Sequence, residues 1–143
     1  MIIEEREYLD YNQVLIKPQK TYINSRKDVN LEKTYNFKYA DKIIKAIPII
    51  SANMDTVSTF EAGDILLKNN MFCALHKHYT SQEYADFVFS LGYKSAEVNN
   101  VFYTIGNKPE DLIKYHRVCR DLGFKLNICL DVANGYMDSL LDI

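Results

Sequence analysis

The stretch Pro48-Ile-Ile-Ser-Ala-Asn-Met-Asp-Thr-Val57 begins as an apolar run and turns polar at its C-terminal end. Two later stretches repeat this pattern, Phe72-Cys-Ala-Leu-His-Lys-His-Tyr79 and Leu130-Asp-Val-Ala-Asn-Gly-Tyr136. A short apolar run bounded by polar residues is typical of a buried strand in a parallel sheet. Ligands of such sheets bind at the carboxyl ends of the strands. The three polar endings therefore predict one shared site.

Helix signals separate the apolar runs. Ser58-Thr-Phe-Glu61 and Thr80-Ser-Gln-Glu83 have the pattern of a capping box, and Pro109 falls in the first turn of a third helix. Predicted strands span residues 47–54, 71–75, 101–105 and 126–130. The expected stop signals of the helices are Asn69-Asn70, Gly92 and Gly123. The expected core contacts of the first two helices are Phe60, Ile65, Leu66, Leu67, Tyr84, Phe87, Val88 and Leu91.

Strands that alternate with helices of this length indicate right-handed crossovers and a parallel sheet, an α/β fold. A (β/α)8 TIM barrel typically needs about 250 residues, so we expect this chain of 143 residues, with four strands and three full helices, to be the N-terminal half of such a barrel rather than a closed one. Residues 136–143 lack a helix stop signal, and we expect the chain to be truncated in a fourth helix. A small, complete flavodoxin-like sheet is the alternative.

The first 46 residues follow a different pattern. Val14-Leu-Ile16 and the segment from Val29 to Phe37 are predicted strands on either side of Ser25-Arg26-Lys27. They predict an N-terminal hairpin or flap over residues 1–46, followed by the half-barrel over residues 47–143.

Composition excludes several classes of protein. The net charge is −2, with 17 Lys and Arg against 19 Asp and Glu, and no basic cluster predicts binding to nucleic acid or to an anionic membrane. Met1-Ile-Ile is followed by Glu4-Glu5-Arg6-Glu7, the wrong order for a secretory signal, so we expect a cytoplasmic protein. Three cysteines without C-x-x-C spacing are expected to be reduced, buried thiols rather than nucleophiles: Cys73, Cys119 and Cys129.

Several motifs carry a resemblance to a known family. They are Leu9-Asp-Tyr-Asn-Gln-Val-Leu-Ile-Lys-Pro18, Ser25-Arg26, Ala52-Asn-Met-Asp-Thr-Val57, His76-Lys-His-Tyr79 and Ile128-Cys-Leu-Asp-Val-Ala-Asn-Gly-Tyr136. In this order and spacing the chain resembles the N-terminal half of GMP reductases, in the superfamily shared with IMP dehydrogenases. Dehydrogenases usually carry a regulatory insert after the second helix, and residues 93–100 leave no room for one.

The resemblance implies NADPH-dependent reductive deamination of GMP to IMP with release of ammonia. In that family a Cys thiolate adds to C2 of the purine and hydride from NADPH resolves the intermediate. The loop with this Cys, which also binds a monovalent cation (K+), has no counterpart here, so we expect no catalytic residue in this chain and no turnover by the chain alone. The full enzyme would be a homo-oligomer, a tetramer, or a complementary half-barrel chain would supply the missing strands.

Eight residues match family positions. Those implied to contact NADPH are Ser25, Arg26, Lys77, Asp131, Val132 and Ala133, and those implied to lie near the purine are Asn53 and Met54. An Arg fork suits a phosphate, a Lys suits negative charge near the cofactor, and a carboxylate accepts from ribose hydroxyls. Taken alone, these residues are as typical of an exposed loop Arg, a solvated Lys, a helix-capping Asp and a core Met.

Three other functions stay open. The first is an IMP dehydrogenase without its insert, and the second is a non-catalytic half-barrel that acts by association. The third is a metal-dependent hydrolase, because His76 and His78 alternate along a strand and Asp131 would add a third ligand. The remaining His116 falls within a helix, so we expect no metal site.

Overall fold

The computed structural model describes residues 6–38, 42–92, 96–138 and 140. By its contacts the chain divides into two compact units, Met1–Asn30 and Leu31–Ile143, and each is described by itself. The predicted domain boundary between residues 46 and 47 stays a prediction.

Over residues 6–30, the first unit consists of extended chain and two short 3-10 turns, Tyr11–Gln13 and Arg26–Asp28. Ser25 caps the second turn, because its Oγ accepts a hydrogen bond from Lys27 N at 3.3 Å. The strand predicted at Val14-Leu-Ile16 is wrong, since these residues form no strand and Leu15 is 98% exposed. Local β propensity does not make a strand without a partner to receive its backbone hydrogen bonds.

The second unit begins with an antiparallel hairpin of two strands, β1 (Lys33–Asn36) and β2 (Ile43–Ala46). Tyr35 pairs with Ile44 across the hairpin. The hairpin therefore lies later in the chain than the sequence indicated. Its buried residues Ile44 and Ala46 pack with Phe72 of the following sheet.

Within the part of the chain that the structure describes, that sheet has four parallel strands in the order β3 (Ile50–Ser51), β4 (Phe72–Leu75), β5 (Val101–Ile105) and β6 (Asn127–Leu130). The predicted α/β fold with a parallel sheet is confirmed, while its assignment as half of a barrel stays a prediction. The first strand was expected over residues 47–54 and is only two residues long. Pro48 has no N–H to donate, and Ile49 N and Met54 N donate to Ile47 O and Ala52 O within tight local turns.

Among the described residues, three α-helices connect the strands: α1 (Phe60–Lys68), α2 (Ser81–Ser90) and α3 (Pro109–Leu122). The capping box of α2 is confirmed, with Thr80 N donating to Glu83 Oε2 at 2.8 Å and Glu83 N donating to Thr80 Oγ1 at 3.2 Å. Gly123 ends α3 in the left-handed conformation, with φ of 79°. No described helix combines the length and hydrophobicity needed to cross a membrane.

The start of α1 differs from the sequence prediction by one residue. Thr59, not Ser58, is the N-cap, and its Oγ1 accepts a hydrogen bond from Ala62 N at 3.3 Å. Ser58 is buried instead, and its Oγ lies 2.7 Å from Ser51 Oγ and 3.3 Å from Cys73 Sγ. The serine hydroxyl thus joins β3, β4 and the start of α1 rather than the helix backbone.

The helices cover one face of the sheet and form the main core with it. The buried residues of this core include Leu67, Cys73, Leu75, Tyr84, Phe87, Val88, Val101, Tyr103, Ile105, Tyr115, Val118 and Leu122. Ile65 was predicted to contact the core and is 63% exposed, because it falls on the outer side of α1. Of the predicted fourth helix, Ser139 and residues 141–143 lie outside the described residues, and residues 136–138 and 140 form no α-helix.

Asparagine side chains lie at the amino ends of the strands. Asn70 Nδ2 donates to Glu32 Oε1 at 2.7 Å, and Asn100 Nδ2 donates to Asn70 Oδ1 at 3.1 Å. Asn127 accepts from Lys42 Nζ at 3.2 Å. These bonds tie the hairpin and the residues beside it to the amino end of the sheet.

Candidate functional site

A cleft of about 430 Å³ lies at the carboxyl ends of β4, β5 and β6. Its lining residues are Lys77, His78, Gly106, Asn107, Lys108, Asp111, Lys114, Asp131, Val132, Ala133, Asn134 and Met137. Four predicted site residues, those at 77 and 131–133, therefore line one cavity. The volume falls in the lower part of the range for small-molecule sites, roughly 300–1,000 Å³.

Lys77 and Asp131 form an ion pair across this cleft. The distance from Lys77 Nζ to Asp131 Oδ2 is 3.6 Å, and the two side chains are 37% and 46% exposed. A pair this exposed contributes about 0–1 kcal/mol, so a ligand can replace either partner at low cost. Asp131 N donates to Ile105 O at 2.8 Å, which fixes the start of the loop after β6 against β5.

Gly106 lies where three elements of the cleft meet. Its N–H donates to Asp111 Oδ2 at 2.9 Å, which connects the end of β5 to the first turn of α3. A Cβ added to Gly106 would lie 2.9 Å from Asp111 Oδ2 and 3.7 Å from both Lys77 Nζ and the Asp131 carbonyl oxygen. A side chain at this position would displace the Asp111 carboxylate, whereas its other two contacts lie at ordinary van der Waals distance.

The cleft carries a net positive charge. Three lysines, Lys77, Lys108 and Lys114, face two carboxylates, Asp111 and Asp131. Lys108 and Lys114 form no ion pair with any residue that the structure describes. Unpaired ammonium groups beside the first turn of a helix favour an anionic ligand.

His76 is buried and does not line the cleft. Its ring stacks on Tyr79 with centroids 4.0 Å apart, and its Nδ1 accepts a hydrogen bond from His78 N at 3.3 Å. Burial lowers the pKa of His76, the nearby His78 lowers it further, and Asp55 opposes the shift. Among the described residues no group of three His, Cys, Asp or Glu could hold a metal ion.

The three cysteines are free thiols. Cys73 is fully buried, and burial raises its pKa, although hydrogen bonds from Ser58 and Ser51 oppose the shift. A thiol with a raised pKa is a poor nucleophile at neutral pH. Cys119 and Cys129 are half-buried, less than the sequence indicated, and neither lines the cleft.

The other predicted site residues lie elsewhere. Asn53 is half-buried and Met54 is 56% exposed after β3, and neither lines the cleft. Ser25 and Arg26 belong to the first unit, where they line an open pocket of about 300 Å³ with Thr21, Ile23, Asn24 and Val29. The roles of all four remain predictions.

Sequence reasoning missed the contribution of β5 and α3 to the cleft. The segment Gly106-Asn107-Lys108 follows an apolar strand, the same pattern that identified the three other endings. Asp111 and Lys114 gave no comparable signal, because a polar residue in the first turns of a helix is usually solvated.

No protein-family profile matches the chain. Curated relatives do match it. A GMP reductase from Shewanella pealeana is 38% identical over 99% of this chain and 40% of the relative. GMP reductases from Onchocerca volvulus and Salmonella paratyphi C are 34% and 41% identical over 98% and 96% of the chain.

A crystal structure of inosine 5'-monophosphate dehydrogenase from Legionella pneumophila aligns with a TM-score of 0.65 and 25% identity, over 90% of this chain and 36% of that one. The resemblance to the N-terminal half of GMP reductases is thereby confirmed. The chain spans about two fifths of the length of the curated relatives it matches.

Proposed function

We propose that this chain, which is similar to GMP reductases along nearly its whole length, provides the nicotinamide side of the active site of such an enzyme. The reaction is the NADPH-dependent reductive deamination of GMP to IMP and ammonia. The observation that carries the proposal is the joint position of Lys77 and Asp131–Ala133 in one net-positive cleft. NADPH is anionic, which suits a cleft of net positive charge. These four residues were implied to contact NADPH by the resemblance alone, and they are neighbours in this cleft.

Each of these residues has a defined task in the proposed site. Lys77 donates hydrogen bonds to the cofactor and opposes its negative charge, and Asp131 accepts from ribose or carboxamide donors. Val132 and Ala133 leave room for the cofactor to approach the backbone. When bound, NADPH supplies the hydride for the purine. Ser25 and Arg26 would contact the adenine or phosphate part, and Asn53 and Met54 the purine of GMP.

The remaining parts of the proposal concern the whole enzyme. The chain covers about 40% of its curated relatives, and we assign the nucleophilic Cys loop and its K+ site to the part of those relatives that it does not match. The whole enzyme would act in the cytoplasm as a homotetramer, or a complementary half-barrel chain would complete it. The chain alone should not oxidise NADPH when GMP is added, because Cys73 is buried and has a raised pKa.

The direct test is binding of NADPH to the chain, followed by fluorescence of the reduced nicotinamide. We expect saturable binding that weakens roughly ten- to a hundredfold in Lys77→Ala and Asp131→Ala, since each loses one charge-assisted contact. Lys125→Ala is the matched control, because Lys125 is exposed and lies outside the cleft. Equal affinity of the wild type and both cleft variants would refute the proposed cofactor site.

An IMP dehydrogenase is the second candidate, because the solved structure that aligns with this chain carries that name. The two functions differ in redox direction. Binding of NADPH with discrimination against NAD+ supports the reductase, and the opposite preference supports the dehydrogenase.

A further inference from the structure

Helix α3 starts without the usual cap. Lys108 occupies the N-cap position and makes no side-chain hydrogen bond to the helix. Asp111, three residues later, points its carboxylate out of the first turn and accepts from Gly106 N at 2.9 Å. In a capping box the side chain at this third helical position accepts from the N-cap N–H, whereas the Asp111 carboxylate accepts from Gly106, two residues before the N-cap.

Gly106 connects Asp111 to Lys77 and Asp131, the charged residues that are proposed to contact the cofactor. It is buried, and the space beside its Cα is shared by Asp111 Oδ2, the Asp131 carbonyl oxygen and Lys77 Nζ, at 2.9, 3.7 and 3.7 Å from an added Cβ. Ile105, the residue before Gly106, accepts a hydrogen bond through its carbonyl oxygen from Asp131 N at 2.8 Å. A shift of Gly106 therefore shifts the end of β5 and, through this bond, the backbone of Asp131, whose carboxylate pairs with Lys77.

We infer that Asp111 is a positioning residue, which holds the Lys77–Asp131 pair in place through Gly106. The Lys77–Asp131 ion pair is too exposed to hold its own geometry, and its 3.6 Å separation is long for a charge-assisted hydrogen bond. The bond from Gly106 N supplies the rigidity that the pair lacks. The consequence for cofactor binding rests on the proposed function, whereas the effect on Lys77 does not.

The chemistry of the side chain also matters at position 111. A carboxylate is the stronger acceptor for a partly buried N–H, and its charge partly balances the three lysines of the cleft. Asn keeps an acceptor oxygen of the same length and removes the charge. Ala removes both the acceptor oxygen and the charge. Comparing the two variants therefore separates the effect of the hydrogen bond from the effect of the charge.

The test follows Lys77 in the 143-residue chain without any cofactor. Lysines are labelled by reductive methylation with 13C, and the Lys77 signal is assigned by its loss in Lys77→Arg. In Asp111→Ala we expect the Lys77 signal to shift and the Gly106 amide to exchange roughly ten- to a hundredfold faster. Asp111→Asn should restore the position of the signal in large part.

Glu110→Ala is the matched control, because Glu110 lies in the same helical turn and is exposed. It removes the same charge from the start of α3, and the Lys77 signal should stay in place. An unshifted Lys77 signal in Asp111→Ala, with or without faster exchange at Gly106, would reduce Asp111 to a local cap and overturn the inference.

Asp111→Glu provides a second route if Asp111→Ala does not fold. It keeps the charge and moves the oxygen by one methylene, so the Lys77 signal should still shift, and an unchanged signal would overturn the inference. NADPH titration separates this inference from the proposed function. A wild-type chain that fails to bind NADPH refutes the proposed function, and the Lys77 signal still decides the role of Asp111.

Discussion

Gly63→Ala should destabilise the second unit, although Ala is the better helix former. Gly63 lies inside α1 and is buried against the sheet. An added Cβ would lie 3.0 Å from Cys73 Sγ, 3.3 Å from Leu75 Cδ2 and 3.4 Å from Phe87 Cζ. Cys73 and Leu75 are fully buried, so neither can move aside freely.

Two opposing effects set the magnitude. Replacing Gly by Ala within a helix stabilises it by about 0.5–1 kcal/mol. Inserting a methyl group into a packed core costs about 1–3 kcal/mol. The overpacking is larger, because the built Cβ is crowded on three sides, and we expect a net loss of roughly 1–2 kcal/mol in the free energy of unfolding.

The assay is urea unfolding followed by far-UV circular dichroism, and Cys73→Ala supplies the matched background. Removing Sγ removes the shortest contact, so Gly63→Ala should become neutral or stabilising in Cys73→Ala. A single Gly63→Ala variant that unfolds at the same or a higher urea concentration than the wild type would show that the core has room at this position, against the argument.

Three further predictions concern the cap, the buried histidine and the sheet edges. Thr59→Ala should lower the free energy of unfolding by about 1 kcal/mol through loss of the α1 N-cap, and thermal unfolding checks this. Since burial lowers the pKa of His76 below its unfolded value, the unfolded chain takes up the proton more readily. The contribution of His76 to the free energy of unfolding should therefore be full above about pH 6.5 and fall as the pH drops towards the folded pKa. In urea titrations from pH 7.5 to 5, His76→Phe should make the free energy of unfolding less dependent on pH. A pH dependence equal to that of the wild type would contradict this prediction. Because β3 and β6 each have one described neighbour in the sheet, the chain should associate as its concentration rises, and sedimentation velocity that shows one monomeric species throughout would contradict it.

Much of the fold could be predicted because its signals are local. β5 and the start of α2 match their predicted positions, because an apolar run and a capping box are both patterns of consecutive residues. The strand expected at Val14-Leu-Ile16 failed because pairing depends on a partner far along the chain. The long strand expected after Ile47 failed because Pro48 and two tight turns interrupt the ladder.

The candidate site also has a part that could be predicted from the sequence and a part that could not. The joint position of Lys77 and Asp131 was predictable because each follows a strand, and the carboxyl ends of parallel strands converge, while their roles stay predictions. The Asp111 carboxylate in the first turn of α3 accepts a hydrogen bond from Gly106 at the end of the preceding strand. Helix and strand periodicity predict which residues share a face, and neither predicts this contact. Ser58 was misread as a cap because Ser and Thr are equally good caps by composition, and only packing shows which of two neighbours points inward.

The thiol of Cys73 is fully buried and hydrogen-bonded to Ser58, so its rate of reaction with a thiol reagent would measure how often the core opens. A thiol reagent cannot reach a side chain with no exposed surface, so labelling of Cys73 must wait until β4 separates from α1. Cys119 and Cys129 are half-buried and should react earlier. The order of modification, read by mass spectrometry, would thus report local fraying and global unfolding from one sample of the unsubstituted chain.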